Sequence, residues 1–328
     1  MKSSSSDFKD VREMYEYHPY PALGDSLKDF SMYANRLPKE LKNQKINVLD
    51  AGCGTGHFTC SIAKQFPNAN VIGIDLSSES LSIAKQLAAL HNVENVKFLR
   101  GNYTGKLLEK YGPFDIIVAI GTVHHNKSPS STLKILGESL KDQGFLCLHL
   151  YGKRLDQGKF DIKNILNIIS SKDESINDRF QHYEELATFL NKSRPIWKKA
   201  LLTSPYDLFI MFKNYLRNIS RKIKGISWSP AWNYKYTKPI APWVDHFCHP
   251  LEHAFEADEV VDTIQYSGLK IFECIGLGKK ISKNIPSQWN DLYSQLSDFD
   301  QIRLNELLLY IKGTRQNHGG SYNFILKK

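Results

Sequence analysis

One stretch near residue 50 constrains the fold more than any other part of the chain. An apolar run from Ile46 to Leu49 ends in an acid, Asp50, and an amphipathic segment begins a few residues later. Three glycines stand between them at alternate positions: Gly52, Gly54 and Gly56. Glycine permits backbone angles that are closed to other residues and leaves no side chain between backbone and ligand. The stretch therefore predicts a buried strand, a tight turn and a helix whose N-terminus faces a ligand.

A glycine turn of this kind has more than one interpretation. Alone, it is compatible with a phosphate loop, a dinucleotide loop or a purely structural turn. The spacing Gly-x-Gly-x-Gly differs from the Gly-x-Gly-x-x-Gly fingerprint of dinucleotide enzymes, which disfavours a nicotinamide-dependent oxidoreductase. The surrounding sequence has to decide between the alternatives.

The segments around the turn alternate between strand and helix patterns. Apolar runs predict strands at 46–50, 70–75, 96–100, 114–120, 144–150, 269–275 and 320–326. Amphipathic runs predict helices at 25–41, 56–65, 77–91, 133–140 and 257–267, and a long helical region at 286–312. Alternation of this kind predicts an α/β fold with a doubly wound parallel sheet.

The same pass divides the chain into four parts. Residues 1–44 form a polar tail and a cap helix, and residues 45–151 form the core of alternating strands and helices. Residues 152–250 break the alternation with helix-like segments and aromatic loops, which predicts an inserted helical lid. Residues 251–328 complete the sheet around the helical insertion.

Composition sets limits on the setting of the protein. The N-terminus is polar and no run approaches the roughly 20 apolar residues of a membrane span, so we expect neither a secretory signal nor a transmembrane segment. The five scattered cysteines form no Cys-x-x-Cys pair, which indicates reduced thiols and a cytoplasmic location. The net charge of +9 is compatible with an acidic partner but names none.

These motifs, in this order, resemble those of the class I S-adenosylmethionine-dependent methyltransferases. The segment 50–56 is similar to the acid-x-Gly-x-Gly-x-Gly loop of the family, and Asp75 ends the second strand where the family has its ribose-binding acid. The segment 121–125, Gly-Thr-Val-His-His, is similar to the motif after the fourth strand. The resemblance implies a Rossmann-like core at 45–151 and a reversed last strand, with the seven-stranded order 3-2-1-4-5-7-6.

The resemblance also implies S-adenosyl-L-methionine as the cofactor and a set of residues that hold it. A carboxylate at Asp75 can accept both ribose hydroxyls, although it could also serve only as a helix cap. Asn102 stands where the family often has an acid that reaches the adenine amino group. The expected cofactor-binding residues are Asp50, Gly52, Gly54, Gly56, Asp75, Leu76, Asn102, Tyr103, Gly121 and Thr122.

Methyl transfer from a sulfonium needs alignment more than covalent help, because the donor is already activated. A general base matters when the acceptor must lose a proton. His124 and His125 end the fourth strand and are the candidate catalytic residues, and the alternative is that they only shape the pocket.

The acceptor side has weaker signals. We expect walls from residues 11–25 and 152–250, with five candidate contacts: Tyr17, Tyr20, Tyr151, His246 and His249. His246 and His249 have a metal-like His-x-x-His spacing, but Pro250 interrupts any helix that would align them. The prediction is therefore an acceptor loop without a metal.

The leading hypothesis is a methyltransferase that acts on an oxygen or nitrogen of a small molecule. A nucleic acid or a protein-tethered acceptor is the alternative, because residues 192–224 carry nine lysines and arginines against one acid. A solvated basic face explains the same stretch. A third reading is a module that binds S-adenosylmethionine without catalysis.

Overall fold

The computed structural model describes residues 8–21, 23–154, 157–170, 174–193, 241, 244–275, 287–311 and 321–328. Its strands are β1 Asn47–Ala51, β2 Asn70–Asp75, β3 Val96–Arg100, β4 Phe114–Ile120, β5 Leu140–Leu150, β6 Lys270–Ile275 and β7 Tyr322–Lys327. The described helices are α1 Lys9–Tyr17, α2 Ser31–Ala34, α3 His57–Gln65, α4 Ser78–Leu90, α5 Lys106–Tyr111, α6 Pro129–Glu138, α7 Gln157–Ile169, α8 Ile176–Ser193, α9 Ala257–Ser267, α10 Asn290–Gln295 and α11 Asp298–Ile311.

All seven strands form one sheet in the order β3-β2-β1-β4-β5-β7-β6. Strand β7 runs antiparallel to both of its neighbours, and the other pairs are parallel. The predicted order and the reversed last strand are confirmed. The sheet is wound outward in both directions from β1 and β4, so their carboxyl ends meet at the point where α/β folds bind ligands.

The central strands are apolar on both faces because each face is covered. Along β1, Val48 packs into the apolar cluster on one side of the sheet and Leu49 into the cluster on the other. Ile116 and Ile117 of β4 alternate in the same way, and all four side chains are fully buried. Two-sided burial is the reason that a parallel strand reads as a continuous apolar run.

The N-terminal region differs from the prediction. The expected helix at 25–41 is reduced to α2 and a short 3₁₀ turn at Lys39–Lys42. The Asp29 carboxylate accepts the backbone N–H and the hydroxyl of Ser31, so the helix begins only there. Part of the expected polar tail is helical instead, since α1 buries Val11 and Met14.

Smaller differences concern the ends of elements. Strand β5 begins at Leu140 rather than at residue 144, and α6 begins at Pro129 rather than at 133. The short helix α5 was not expected. One of the helix-like segments expected within 152–250, at 206–223, lies outside the described residues.

The described part of the proposed lid packs on the N-terminal helix. Helices α7 and α8 and the turn Val244–Cys248 meet α1 in a third apolar cluster, formed by Met14, Leu166, Phe180, Val244, Phe247 and Cys248. The boundaries of the lid stay a prediction. None of the helices in the described ranges has the length and apolar character needed to cross a bilayer.

Candidate active site

A cavity of about 470 Å³ opens at the carboxyl ends of β1, β2 and β4. Ligand pockets in proteins span roughly 300–1,000 Å³, so the cavity is large enough for a cofactor-sized molecule. Nine of the ten expected cofactor-binding residues line it: Asp50, Gly52, Gly54, Asp75, Leu76, Asn102, Tyr103, Gly121 and Thr122. The tenth, Gly56, is not among the lining residues.

The glycine turn needs glycine for steric reasons. Gly52 and Gly54 have φ angles of 78° and 51°, in the left-handed region. A Cβ atom on Gly52 would overlap the Thr122 side chain, and one on Gly54 would overlap the Tyr20 carbonyl oxygen. Gly56 also has a left-handed φ, of 77°, and a Cβ there would lie 2.7 Å from the Cβ of Ala84 on α4.

Replacing Gly54 with alanine should displace the N-terminal segment from the turn. The Tyr20 carbonyl, which accepts the Thr55 N–H at 3.1 Å, occupies the space of the new methyl group. We expect a loss of roughly 2–3 kcal/mol in the free energy of unfolding, measured by urea denaturation.

Gly268→Ala is the matched control for this substitution. Gly268 has a φ of 75° but open space around its Cβ position, so it carries only the left-handed cost of roughly 1 kcal/mol. Equal losses for the two variants would contradict the packing of the N-terminal segment on the turn.

Two acids stand on the cofactor side of the cavity. The Asp75 carboxylate accepts the N–H of Gly54 at 2.8 Å and of Ser77 at 2.9 Å. Asp50 is buried and accepts the Thr59 hydroxyl at 2.6 Å. Ser77, rather than Asp75, caps α4 with its side chain. The carboxylate of Asp75 therefore keeps acceptor capacity for a ligand, because it offers about four lone-pair positions.

The electrostatics of these acids favour a cationic ligand. Burial raises the pKa of Asp50 to about 7, and burial also raises the pKa of Asp75 above its usual value. Neither acid takes part in an ion pair among the described residues. S-adenosylmethionine carries a positive sulfonium and a positive ammonium group, so its charges match this wall. Gly121 adds room, since a Cβ on it would touch nothing within 4 Å.

Binding of S-adenosylmethionine at pH 7 should release a proton from Asp50. With a pKa of about 7 in the free protein, roughly half of the Asp50 side chains are protonated at this pH. A nearby cation lowers the pKa, so binding releases up to about half a proton. Calorimetry in phosphate and Tris buffers measures this as a heat that depends on the buffer.

Binding should release no proton from this position in Asp50→Asn, or in wild type at pH 9, where Asp50 is already ionised. A binding heat that is independent of the buffer at pH 7 would contradict the placement of a cation beside Asp50.

Helix α1 is fixed at the edge of the cofactor pocket. The Glu16 carboxylate accepts backbone N–H groups of Ser78 and Glu79 at the start of α4, each at 3.0 Å. The Ser77 hydroxyl donates to the Tyr15 carbonyl at 3.0 Å. These bonds place the Tyr15 side chain in the cavity wall, one helical turn after the buried Val11.

The two histidines after β4 are in different positions. His124 is fully buried, does not line the cavity, and has no hydrogen-bond partner for either ring nitrogen among the described residues. His125 lines the cavity, and its Nδ1 lies 3.0 Å from the Leu251 carbonyl oxygen. A carbonyl only accepts, so Nδ1 carries the proton and Nε2 keeps a lone pair. Burial lowers the pKa of His125 to about 4, which leaves the ring neutral at pH 7.

The expected acceptor contacts divide in a similar way. Tyr20, Tyr151 and His246 line the cavity, whereas the Tyr17 side chain is 79% exposed and points elsewhere. The expectation for Tyr17 is therefore corrected, because the turn of α1 directs Tyr15 inward instead. The spacing of Val11, Met14 and Tyr15 on one helical face was the sequence signal for this arrangement.

His249 lies behind the wall rather than in it. Its ring stacks on His125 with centroids 3.7 Å apart and is buried. The Tyr15 hydroxyl donates to the Asp245 carboxylate at 2.6 Å, and Asp245 lines the cavity. Ligand atoms of His125, Asp245 and His249 lie within 4.8 Å of one another, so His249 groups with these two residues and not with His246.

This group has the residue types of a metal site but an unfavourable protonation pattern. His249 Nδ1 accepts the Leu251 N–H at 3.1 Å, so its proton sits on Nε2 and blocks that lone pair. The prediction of an acceptor site without a metal is retained as a proposal.

Comparisons with known proteins agree with the fold. A family model described as a methyltransferase domain matches residues 42–200. A malonyl-[acyl-carrier protein] O-methyltransferase of Priestia megaterium is 31% identical over 134 residues, which cover 40% of this chain and 47% of the relative. A release factor glutamine methyltransferase of Fusobacterium nucleatum is 29% identical over 161 residues, covering 40% of this chain and 45% of the relative. The match thus spans less than half the length of these relatives.

A solved structure extends the likeness of the fold. PKMT2 from Rickettsia typhi in complex with AdoHcy superposes with a TM-score of 0.61 at 19% identity, covering 94% of this chain and 54% of that chain. The sheet order, the glycine turn between two acid-ended strands and the family match define a class I S-adenosylmethionine-dependent methyltransferase domain. The methyltransferase family model covers residues 42–200, a little under half of the chain.

Proposed function

We propose that this protein transfers the methyl group of S-adenosylmethionine to an oxygen or nitrogen of a small molecule bound in the cavity. The observation that carries the proposal is that the residues expected to bind the cofactor and a candidate base line the same cavity. Asp50, Asp75 and Gly121 line it together with His125, whose Nε2 is unprotonated.

The cofactor side provides anchors for both ends of S-adenosylmethionine. Asp75 would accept the ribose hydroxyls, and Asp50 would lie nearer the methionine end with its ammonium group. The Asn102 carbonyl oxygen already accepts the N–H and the hydroxyl of Thr104, each at 2.8 Å. A contact of Asn102 with adenine would therefore come from its amide hydrogens.

The acceptor side provides alignment and a base. The cofactor supplies an activated methyl group, and the protein has to hold the acceptor in line with it. His125 is the residue that would remove a proton from the acceptor, because His124 has no access to the cavity. The carbonyl of Leu251 keeps the His125 ring in the tautomer that a base requires.

A small acceptor agrees with the way in which the cavity is covered. The N-terminal segment is bound to the glycine turn, since the Thr55 hydroxyl donates to the Pro21 carbonyl at 2.6 Å. Tyr15 and Tyr20 from this segment line the cavity beside Tyr151. The basic stretch at 192–224 is the sequence feature behind the alternative of a nucleic acid or a carrier protein, and it lies almost wholly outside the described residues.

The relatives do not select an acceptor either. Their names include a malonyl-[acyl-carrier protein], a release factor glutamine and, for a protein of Rubrobacter xylanophilus, the guanine-N(7) of a tRNA. These names support the transfer of a methyl group and leave the acceptor to be argued from the cavity.

Calorimetry with S-adenosylmethionine, S-adenosylhomocysteine and NADH tests the proposal. We expect both sulfur ligands to bind with micromolar affinity and NADH to show no heat. Absence of binding by both sulfur ligands would overturn it. Binding of both without methyl transfer to any of a panel of amines and alcohols would favour a module that binds the cofactor without catalysis.

A further inference from the structure

We propose that the methyl acceptor is an amino group, which enters the cavity as an ammonium ion and is recognised by Asp245 and His125. The inference rests on the proposed function and names its substrate class.

Two hydrogen-bond acceptors define the acceptor side of the cavity. An oxygen of the Asp245 carboxylate and a ring nitrogen of His125 lie within 4.8 Å of each other, and both residues line the cavity. Nε2 of His125 is an acceptor because its Nδ1–H is bound to the Leu251 carbonyl. An ammonium group offers three hydrogens and can donate to both atoms, whereas a hydroxyl offers one and a carboxylate none.

The charged residues that line the cavity also favour an ammonium ion over an anion. Asp50 and Asp75 are engaged by the bound cofactor, so Asp29 and Asp245 remain for the acceptor, against one lysine, Lys28. Burial raises the pKa of Asp245 only to about 6, so this carboxylate is mostly ionised at pH 7. An anionic acceptor would be repelled by this set, and a cationic acceptor would be attracted.

A second feature is the set of tyrosine rings beside Asp245. Tyr15 and Tyr20 line the cavity, and tyrosine faces attract ammonium groups, whereas the Tyr151 ring already has the Lys159 ammonium over it. The Tyr15 hydroxyl is used as a donor to Asp245, which orients the carboxylate. These rings would contact the substituent that carries the amine.

Two further lysines lie near Asp245, and their positive charges oppose the attraction of Asp245 for an ammonium ion. Lys159 and Lys163 are both paired with Glu252, at 2.6 Å and 2.5 Å, and all three side chains are largely buried. The Lys159 ammonium lies 3.8 Å from the centroid of the Tyr151 ring. Neither lysine lines the cavity, and Glu252 neutralises one of the two charges.

The reaction balances with the groups present. The ammonium R–NH₃⁺ loses one proton through Nε2 of His125 to solvent, because a ring with a pKa of about 4 does not keep it, and the freed lone pair of R–NH₂ attacks the methyl carbon. The new C–N bond takes the place of the C–S bond, whose electrons return to sulfur and leave neutral S-adenosylhomocysteine. The product is R–NH₂⁺–CH₃, which Asp245 holds as it held the substrate.

Three probes of similar shape test the class of acceptor: benzylamine, benzyl alcohol and phenylacetate. They are titrated into protein saturated with S-adenosylhomocysteine. We expect benzylamine to bind at least about 10-fold more tightly than benzyl alcohol, and phenylacetate to bind least, because charge-assisted hydrogen bonds are the strong ones. Equal or tighter binding of the alcohol or the carboxylate would overturn the inference.

Variants of the acceptor side sharpen the test. Asp245→Asn should lower the affinity for benzylamine at least about 10-fold and bring it near that of benzyl alcohol. Tyr15→Phe keeps the carboxylate and should cost less. Asp262→Asn, an exposed acid on α9, removes the same charge far from the cavity and should change nothing. Affinity for S-adenosylhomocysteine within about 3-fold of wild type shows that each variant is folded. An unchanged affinity of Asp245→Asn for benzylamine would overturn the inference.

Two further measurements separate the remaining outcomes. Nα-acetyllysine amide and a lysine-containing pentapeptide are each incubated with tritiated S-adenosylmethionine. A methylated product from either supports an amine acceptor, and the substrate that is methylated tells a small amine from a peptide side chain. A zinc titration of EDTA-treated protein tests for a metal site. The inference is overturned in favour of a metal if wild type binds zinc, if Asp245→Asn and His249→Ala do not, and if the zinc-bound protein no longer binds benzylamine. If the protein binds S-adenosylhomocysteine but shows no preference for benzylamine over the other probes, only this inference is refuted. If the protein does not bind S-adenosylhomocysteine, the proposed function is refuted.

Discussion

Replacing Asp75 with alanine should weaken the binding of S-adenosylmethionine by at least about 100-fold. The carboxylate stands in the cavity wall at the end of β2 and would accept two ribose hydroxyls, and each charge-assisted bond is worth roughly 1.5–3 kcal/mol. Two such bonds correspond to a loss of roughly 3 kcal/mol or more, which is a factor of about 100. Calorimetry with S-adenosylhomocysteine measures the loss without turnover.

The variant needs a control because Asp75 also holds the glycine turn. It accepts the N–H groups of Gly54 and Ser77, so alanine removes a structural role as well as a ligand contact. Asp75→Asn keeps an acceptor oxygen without the charge and should lose less affinity than alanine, with a smaller change in melting temperature. An alanine variant within about 3-fold of wild type would contradict the ribose-binding role.

Replacing His125 with glutamine should reduce turnover by roughly 100-fold or more and leave cofactor affinity within about 3-fold of wild type. General bases contribute roughly 10²–10⁴-fold, and the Nε2 of His125 is the fixed lone pair at the acceptor side. The assay is transfer of a tritiated methyl group to a panel of amines and alcohols at saturating cofactor.

The pH dependence separates a base from a residue that only shapes the wall. Since burial lowers the pKa of His125 to about 4, the wild-type base is unprotonated above this value, and its activity at saturating cofactor should fall as pH drops toward 4. The glutamine variant should lose this limb of the profile. His253→Gln is the control, because its side chain is half-exposed outside the cavity. Equal turnover of the His125 and His253 variants would contradict the role of the base.

Sequence reasoning located the cofactor side well for a physical reason. The acid-ended strands at Asp50 and Asp75 and the glycine turn between them are local patterns, and a parallel sheet brings strand ends together. Gly56 shows the limit, because its spacing fits a ligand loop but its neighbour across space is Ala84.

The acceptor side was predicted less well because it is assembled from distant segments. Tyr15 and Asp245 are separated by 230 positions and meet through one hydrogen bond. The choice of Tyr17 over Tyr15 was wrong because a single helical turn in α1 determines which tyrosine faces inward. The pair His124 and His125 looks equivalent in sequence, and only packing against β5 and the segment around Leu251 distinguishes them.

The sequence by itself determined the alternation of strands and helices and the glycine turn with its two acids, since these follow from local periodicity and from backbone angles that few residues adopt. The order of the strands was implied by the resemblance of these motifs to a known family. Only the tertiary structure decided which histidine has access to the cavity, which of its nitrogens carries the proton, and that Asp245 lies beside it. Those properties depend on burial and on hydrogen bonds between segments far apart in the chain, which no local pattern records.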